Sequence, residues 1–264
     1  NYIHHLHFGV YTYGAFGMNI IGNEVAYNNV YGIDPHDDSD FLVIEDNYSH
    51  NNGSHGIICS KRCNDLIIRN NLSTLNGGHG IMLHRSTDNT LVEGNTATYN
   101  ADSGIAIFDS RDNVIQNNIL QYNRHGIRFS VGAADNLIVG NDISFNTDRG
   151  INFFKGSDLP SPGDDGRPKR NVFIDNRIVG NGGYAIRVLD SDDNVFEENF
   201  ISGNGRENAL RFENSVGSIL RRNILDSVSV VQVIGTVDWP TTLLLDAQDN
   251  IELDLNEFGT AIFL

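Results

Sequence analysis

The stretch SHGIICS (54–60) recurs as GHGIMLH (78–84), SGIAIFD (103–109), HGIRFSV (125–131) and RGINFFK (149–155). The glycines of this repeat are Gly32, Gly56, Gly80, Gly104, Gly126 and Gly150, spaced by 24, 24, 24, 22 and 24 residues. Two asparagine series keep the same beat. One runs Asn23, Asn47, Asn71, Asn95, Asn118, Asn141, Asn176, Asn199, and the other follows five residues behind, from Asn28 to Asn204. Each period holds two short runs in which apolar residues alternate, as in LIIRNNLS and HGIMLH, and a period of two means strand. Nothing shows a helical period over a useful length. Short strands, with Gly and Asn at the corners and one coil per 22–24 residues, predict an all-β right-handed parallel β-helix of about ten coils. At about 4.8 Å per coil the rod is on the order of 50 Å long. A propeller is the competitor, but its blades need about 40–50 residues. Asparagine suits the corners because it tolerates left-handed backbone. Stacked at equal positions, asparagines can also bond along the rod.

The repeat predicts one domain over 1–264. Between Asn141 and Asn176 the period swells to 35, and the extra residues include GSDLPSPGDDGRPKR (156–170). This is an inserted loop of the kind that is often functional. Past Asn223 the pattern fades, and 227–264 reads as irregular final coils or a cap covering the last core face.

Composition narrows the function. The formal net charge of −16 argues against a nucleic-acid binder, which needs a basic face. No apolar run approaches the roughly 20 residues that cross a membrane, and no signal peptide is visible. NYIHHLHFGV opens without a polar leader, which reads as a start inside a domain. Cys59 and Cys63 are too few for a disulfide scaffold or a zinc site and read as structural. No metal ligand set and no cofactor is expected.

Alignment on the glycines turns the sequence into columns. Val10, Ile33, Ile57, Ile81, Ile105, Ile127 and Ile151 form one inward column, and Thr12, Pro35, Cys59, Leu83, Ile107, Phe129 and Phe153 the other. Alternate positions point outward. They carry Tyr11, Asp34 and Arg128 in one column, and Tyr13, His36 and His84 in the next. Asp37, Lys61, Arg85 and Asp109 stand at the corner, with Arg62 and Arg111 nearby. Phe8, Tyr31, His55, His79, His125 and Arg149 precede the glycines. Five of the nine histidines fall on this face, and His4, His5 and His7 lie just before it. A solvated solenoid face has no need of that set. It predicts a groove, locally cationic within an acidic rod, that takes up an anionic polymer.

A uronic-acid polysaccharide fits such a groove. The useful chemistry on a uronate is loss of the proton at C5, beside the carboxylate. The site must neutralise that carboxylate so that charge can spread into it, and supply a base and an acid of suitable pKa. His36 and Tyr31 are the natural pair. Lys61, Arg62 or Arg85 can neutralise, and Asp34 can orient the carboxylate or share a proton with it. Tyr11, Tyr13, Asp37, His55, His79, His84, Arg85, Asp109, His125 and Arg128 are the candidate substrate-binding residues.

HHLHFGVYTY (4–13), GNEVAYNNVYGIDPHD (22–37) and HGIICSKRCND (55–65) carry a family resemblance. Residues from about 4 to 155 resemble the bacterial mannuronan C5-epimerases of alginate, especially the periplasmic type. The YGIDPH core is far more specific to that family than the β-helix repeat. The resemblance implies conversion of mannuronate to guluronate residues within the polymer, in the periplasm or outside the cell, with polymannuronate or alginate as partner and a monomeric rod. It implies proton transfer at C5 by His36, a proton on the opposite face from Tyr31, a role for Asp34, and neutralisation by Lys61 or Arg62. The secreted, calcium-dependent type has an aspartate where Ser60 stands, and its nonapeptide calcium repeats do not appear here. Three rivals remain: a polyuronate lyase on the same groove, a glycosidase with paired carboxylates drawn from Asp34, Asp37 and Asp109, and a β-helix that only binds glycans.

Overall fold

The computed structural model describes residues 1–205, 210–225, 231–234 and 243–246. The described chain is all strand and turn, wound into three ten-stranded parallel sheets. In each sheet a strand pairs with the equivalent strand one coil earlier and one coil later, which is a parallel β-helix. The sheet that matters for function contains Val10–Tyr13, Ile33–His36, Ile57–Ser60, Ile81–His84, Ser103–Phe108, His125–Ser130, Arg149–Phe154 and Ile186–Leu189. It is called the groove sheet below. Its register follows the glycine alignment: Val10 pairs Ile33, Ile57 pairs Ile81, Ile105 pairs Ile127, and Ile127 pairs Ile151.

The two inward columns form the core. Ile33, Ile57, Ile81, Ile105, Ile127 and Ile151 are all fully buried, as are Cys59, Leu83, Ile107, Phe129 and Phe153. Burying each such side chain stabilises the rod by about 1.5–3 kcal/mol. Phe129 stacks on Phe153 at 4.7 Å between ring centroids, and Phe173 on Phe196 at 4.8 Å. The repeat glycines are needed for space. A Cβ on Gly80 would lie 2.7 Å from the Gly104 carbonyl oxygen and 2.8 Å from the Ala97 methyl.

The asparagine columns are hydrogen-bonded ladders. Asn71 donates from its backbone N–H and its Nδ2 to Asn95 Oδ1, at 2.9 and 3.0 Å, and Nδ2 also donates to the Ile44 carbonyl. Asn76 treats Asn100 the same way. A third ladder, Asn113 to Asn136 to Asn171 to Asn194, lines the remaining corner. Hydrogen bonds offset the desolvation of these buried amides and lock the coil register.

Each coil has three strands where the sequence pattern suggests two. The extra sheet runs through Glu24–Ala26, Tyr48–His50, Leu72–Thr74 and Thr96–Thr98. Its inward residues include serines. Ser49 and Ser73 are fully buried and donate to the Gly56 and Gly80 carbonyls at 2.7 Å.

The inserted segment after Phe154 is tied down across the neighbouring coils. Ser161 Oγ donates to Asp109 Oδ2 at 2.9 Å, and Arg111 Nη2 donates to Asp164 Oδ2 at 3.1 Å. Gly132 N–H reaches the Gly166 carbonyl at 2.9 Å. Of the expected cap, Val231–Ile234 and Leu243–Asp246 extend two of the sheets. The rest of 227–264 lies outside the described residues.

Candidate active site

Tyr11 pairs with Asp34, and Tyr13 with His36, across adjacent strands of the groove sheet. His36 pairs in turn with Ser60, and Ser60 with His84. Lys61 and Arg62, just past Ser60, both hold left-handed backbone, with φ of 63° and 62°. Asp37 and Asp38, one coil earlier, do the same. Two left-handed residues in succession turn the chain sharply, so four charged side chains crowd the rim beside His36.

Asp34 is 1% exposed, although its column points away from the main core. Ile58, Met82, Ala106, Phe108 and Val131 cover that face as a second, smaller apolar cluster, with Tyr31 packed against it. Beneath its surface that face is therefore largely apolar. Burial pushes the Asp34 carboxyl up to about 7; a hydrogen bond from Ser60 and the charge of Lys61 pull the other way, and Asp37 raises it further. Its Oδ1 is buried without a hydrogen-bond partner among the described residues. A carboxyl in that setting holds its proton near neutrality and can donate it.

His36 is half-buried. Its Nδ1 lies 2.6 Å from Asp37 Oδ2, and Asp37 Oδ1 accepts from Arg62 Nη2 at 3.1 Å. The two atoms are in close contact, while Nδ1 makes no hydrogen bond among the described residues. The Tyr11 ring packs 5.5 Å from the imidazole. Tyr31 is stacked between Phe8 and His55, at 5.5 and 5.2 Å. Burial, followed by the Asp34 charge, raises the Tyr31 phenol above its ordinary value, so it stays protonated. Tyr11 and Tyr13 are exposed on the groove surface.

The two basic candidates part company. Arg62 is held by Asp37 and by Asp38, whose Oδ1 accepts from its Nε at 2.7 Å. Lys61 has no ion pair among the described residues, and its charge acts on both Asp34 and His84.

Several expected groove residues turn out otherwise. His55 and His79 continue the Tyr31 stack, with ring centroids 4.9 Å apart and planes within 11°. His55 Nδ1 accepts the His79 backbone N–H at 3.0 Å, and His79 Nδ1 accepts that of Ser103 at 3.1 Å. These rings are rungs of a ladder, as the asparagines are. Burial pushes both down to about 3, and His84 and His125 to about 4. They are neutral near pH 7 and lend the groove no cationic character. His79 and His125 are also only 4% exposed. Asp109, 3% exposed, is covered by Ser161, and Arg85 faces Asp158 of the same inserted segment at 3.5 Å. Asp37 lies between His36 and Arg62, at 2.6 and 3.1 Å. Charge concentrates further along the sheet, where Arg124, Arg128, Arg149 and Arg187 meet. Arg124 and Arg187 did not stand out in the sequence, although Arg187 continues the Arg128 column through Asn152. Ser60 was visible only as a departure from another pattern.

Three parallel sheets around one core, with titratable side chains gathered on one of them, define a parallel β-helix protein with a candidate catalytic groove. The chain belongs to the family described as periplasmic copper-binding protein (NosD), whose model matches residues 1–152. It is 48% identical over 59 residues to a mannuronan C5-epimerase of Pseudomonas aeruginosa, a match covering 22% of this chain and 11% of that protein. The crystal structure of the periplasmic alginate epimerase AlgG superposes with a TM-score of 0.64 and 27% identity, over 69% of this chain and 45% of that one. The A-module of the Azotobacter vinelandii epimerase AlgE6 shares the fold at a TM-score of 0.57 and 20% identity, covering 84% of this chain and 58% of that one. The chain thus spans about a tenth of the curated relative it matches and under half of the AlgG chain.

The family description names copper, and the residues present do not fit it. No three His, Cys, Asp or Glu side chains converge as a metal site among the described residues. Cys59 and Cys63 are buried free thiols, both pushed up by burial and so held away from the thiolate that binds metal. Cys63 Sγ donates to the Ser60 carbonyl at 3.2 Å.

Proposed function

We propose that this chain epimerises mannuronate to guluronate within polymeric alginate, by exchange of the C5 proton, in the periplasm or outside the cell. The observation that carries the reading is the grouping on one strand and its rim: a buried carboxyl near pKa 7 (Asp34), a carboxylate-held imidazole (His36), and an unpaired ammonium (Lys61). Lys61 neutralises the substrate carboxylate, and protonated Asp34 hydrogen-bonds to it. Negative charge released at C5 then has somewhere to spread. His36 Nε2 takes the C5 proton. Tyr31, held protonated by its burial, returns a proton to the opposite face. Asp37 and Arg62 position His36. The rod acts as one domain and as a monomer, with an anionic polysaccharide as its partner.

The test is incubation with polymannuronate, followed by proton NMR and ultraviolet absorbance. Growth of guluronate signals at constant absorbance and constant polymer length is the expected result. New absorbance with shortening would make the protein a lyase. Neither change, with binding retained, would make it a glycan-binding rod.

A further inference from the structure

The groove sheet carries a second charged feature about four coils from the first. Arg128 stands in the Asp34 column, linked through Met82 and Ala106, and roughly 19 Å away at about 4.8 Å per coil. Around it opens a cavity of about 260 Å³, lined by four arginines (Arg124, Arg128, Arg149 and Arg187) but by a single carboxylate, Asp102. With the nearby Asp148 and Glu213 counted, four guanidinium groups face three carboxylates, which leaves the pocket cationic in a chain of net charge −16. The arginines are loosely engaged: Arg128 lies 3.6 Å from Asp102, Arg149 3.5 Å from Asp148, and Arg187 3.5 Å from Glu213. Arg124 has no ion pair among the described residues. The Nε atoms of Arg128 and Arg149 are buried without hydrogen-bond partners among the described residues. Arg128 also packs over the Phe154 ring, 4.6 Å from its centroid.

Buried guanidinium donors without acceptors are costly unless an anion completes them. Beside them lie the edge of the Phe154 ring, over which Arg128 packs, and the Asn152 amide, whose Oδ1 accepts from Arg149 Nη1 at 3.4 Å. Together these suit a sugar acid, with a carboxylate for the fork, hydroxyls for the amide and C–H groups for the ring. Between this pocket and Asp34 the column runs through Ile58, Met82 and Ala106, which are buried in the smaller apolar cluster.

We infer that the arginine pocket is a distal carboxylate anchor: it grips a uronate residue of the same polymer several sugars from the reacting one, so that affinity depends on chain length. This rests on the polyuronate reading of the groove. The test is calorimetric titration of the chain with oligomannuronates of defined length. Wild type should bind nonamers at least about tenfold more tightly than trimers, the ratio expected for one added charged contact. In Arg149→Gln/Arg187→Gln the two lengths should bind alike. Arg124→Gln, at an exposed position, should narrow the gap without disturbing the fold, as circular dichroism and melting will verify. A gap that survives in both variants would overturn the anchor. So would oligomers binding wild type with no length step, which leaves the groove reading standing. So would inorganic phosphate filling the pocket without displacing nonamers. If no oligomannuronate binds at any length, the polyuronate reading falls, and the anchor with it.

Discussion

Two kinds of histidine share the groove sheet. His55 and His79 repeat at one column, stack on their neighbours, and use Nδ1 to accept a backbone N–H from the next coil. His36 has no histidine one coil before or after it, and its Nδ1 faces a carboxylate. The first arrangement fixes a neutral ring as scaffold. The second sets a ring against a charged rim, with Asp37 at Nδ1, instead of against another histidine. Recurrence within a column therefore points to stacking, and departure from the column points to chemistry. Tyr31 belongs to both, since it stacks on His55 in the ladder and burial raises its phenol.

The largest effect that can break this comparison is on activity. His36→Asn should lower kcat by about 10²–10⁴-fold, measured as guluronate formed by NMR, with the melting temperature unchanged. Next come the two rim cations. Lys61→Met should cost about 10²–10³-fold in kcat, as removal of one charge-stabilising group does. Arg62→Met should cost less, because Arg62 reaches His36 only through Asp37. Equal losses would mean that the neutralising residue has been misassigned.

The fold was legible because stacking forces equal positions into equal environments. Ile57, Ile81 and Ile105 could hardly recur for another reason, and the asparagines of the ladders announce themselves by spacing. The third strand was not legible. Its runs, such as TAT at 96–98 and YSH at 48–50, bury serine and alanine on three-residue strands, and so lack an apolar signature. In the site, Asp34 and His36 stood out as breaks in the repeat. That His55 and His79 stack on each other was not legible, since a sequence column does not show whether its side chains turn to solvent or to each other. The arginine pocket was hidden because its members come from a corner, from the position before a glycine, and from the strand face.

A smaller effect concerns stability. His79→Ala should destabilise by about 1–3 kcal/mol, because the Ser103 N–H loses its acceptor in a buried place. His79→Asn, whose Oδ1 can replace Nδ1, should recover most of that loss in chemical denaturation. Equal destabilisation by both would reduce the ladder to simple packing.

The smallest effect is in the pH dependence of melting. The histidines with lowered pKa bind fewer protons folded than unfolded, so they cost stability as pH falls from about 6.5 toward 3. Asp34 has the opposite sign. Its folded pKa of about 7 exceeds the unfolded value, so its contribution is full below about 4 and is lost as pH rises to 7. Asp34→Asn should therefore raise the melting temperature more at pH 7 than at pH 4, and a uniform shift would contradict the assignment.

The most direct measurement is deuterium incorporation at C5 of polymannuronate in deuterated water, compared between His36→Asn and His79→Asn. The expected result is exchange abolished in His36→Asn and retained near the wild-type rate in His79→Asn. Equal exchange in the two variants would contradict the division between scaffold and catalytic histidines on which the account rests.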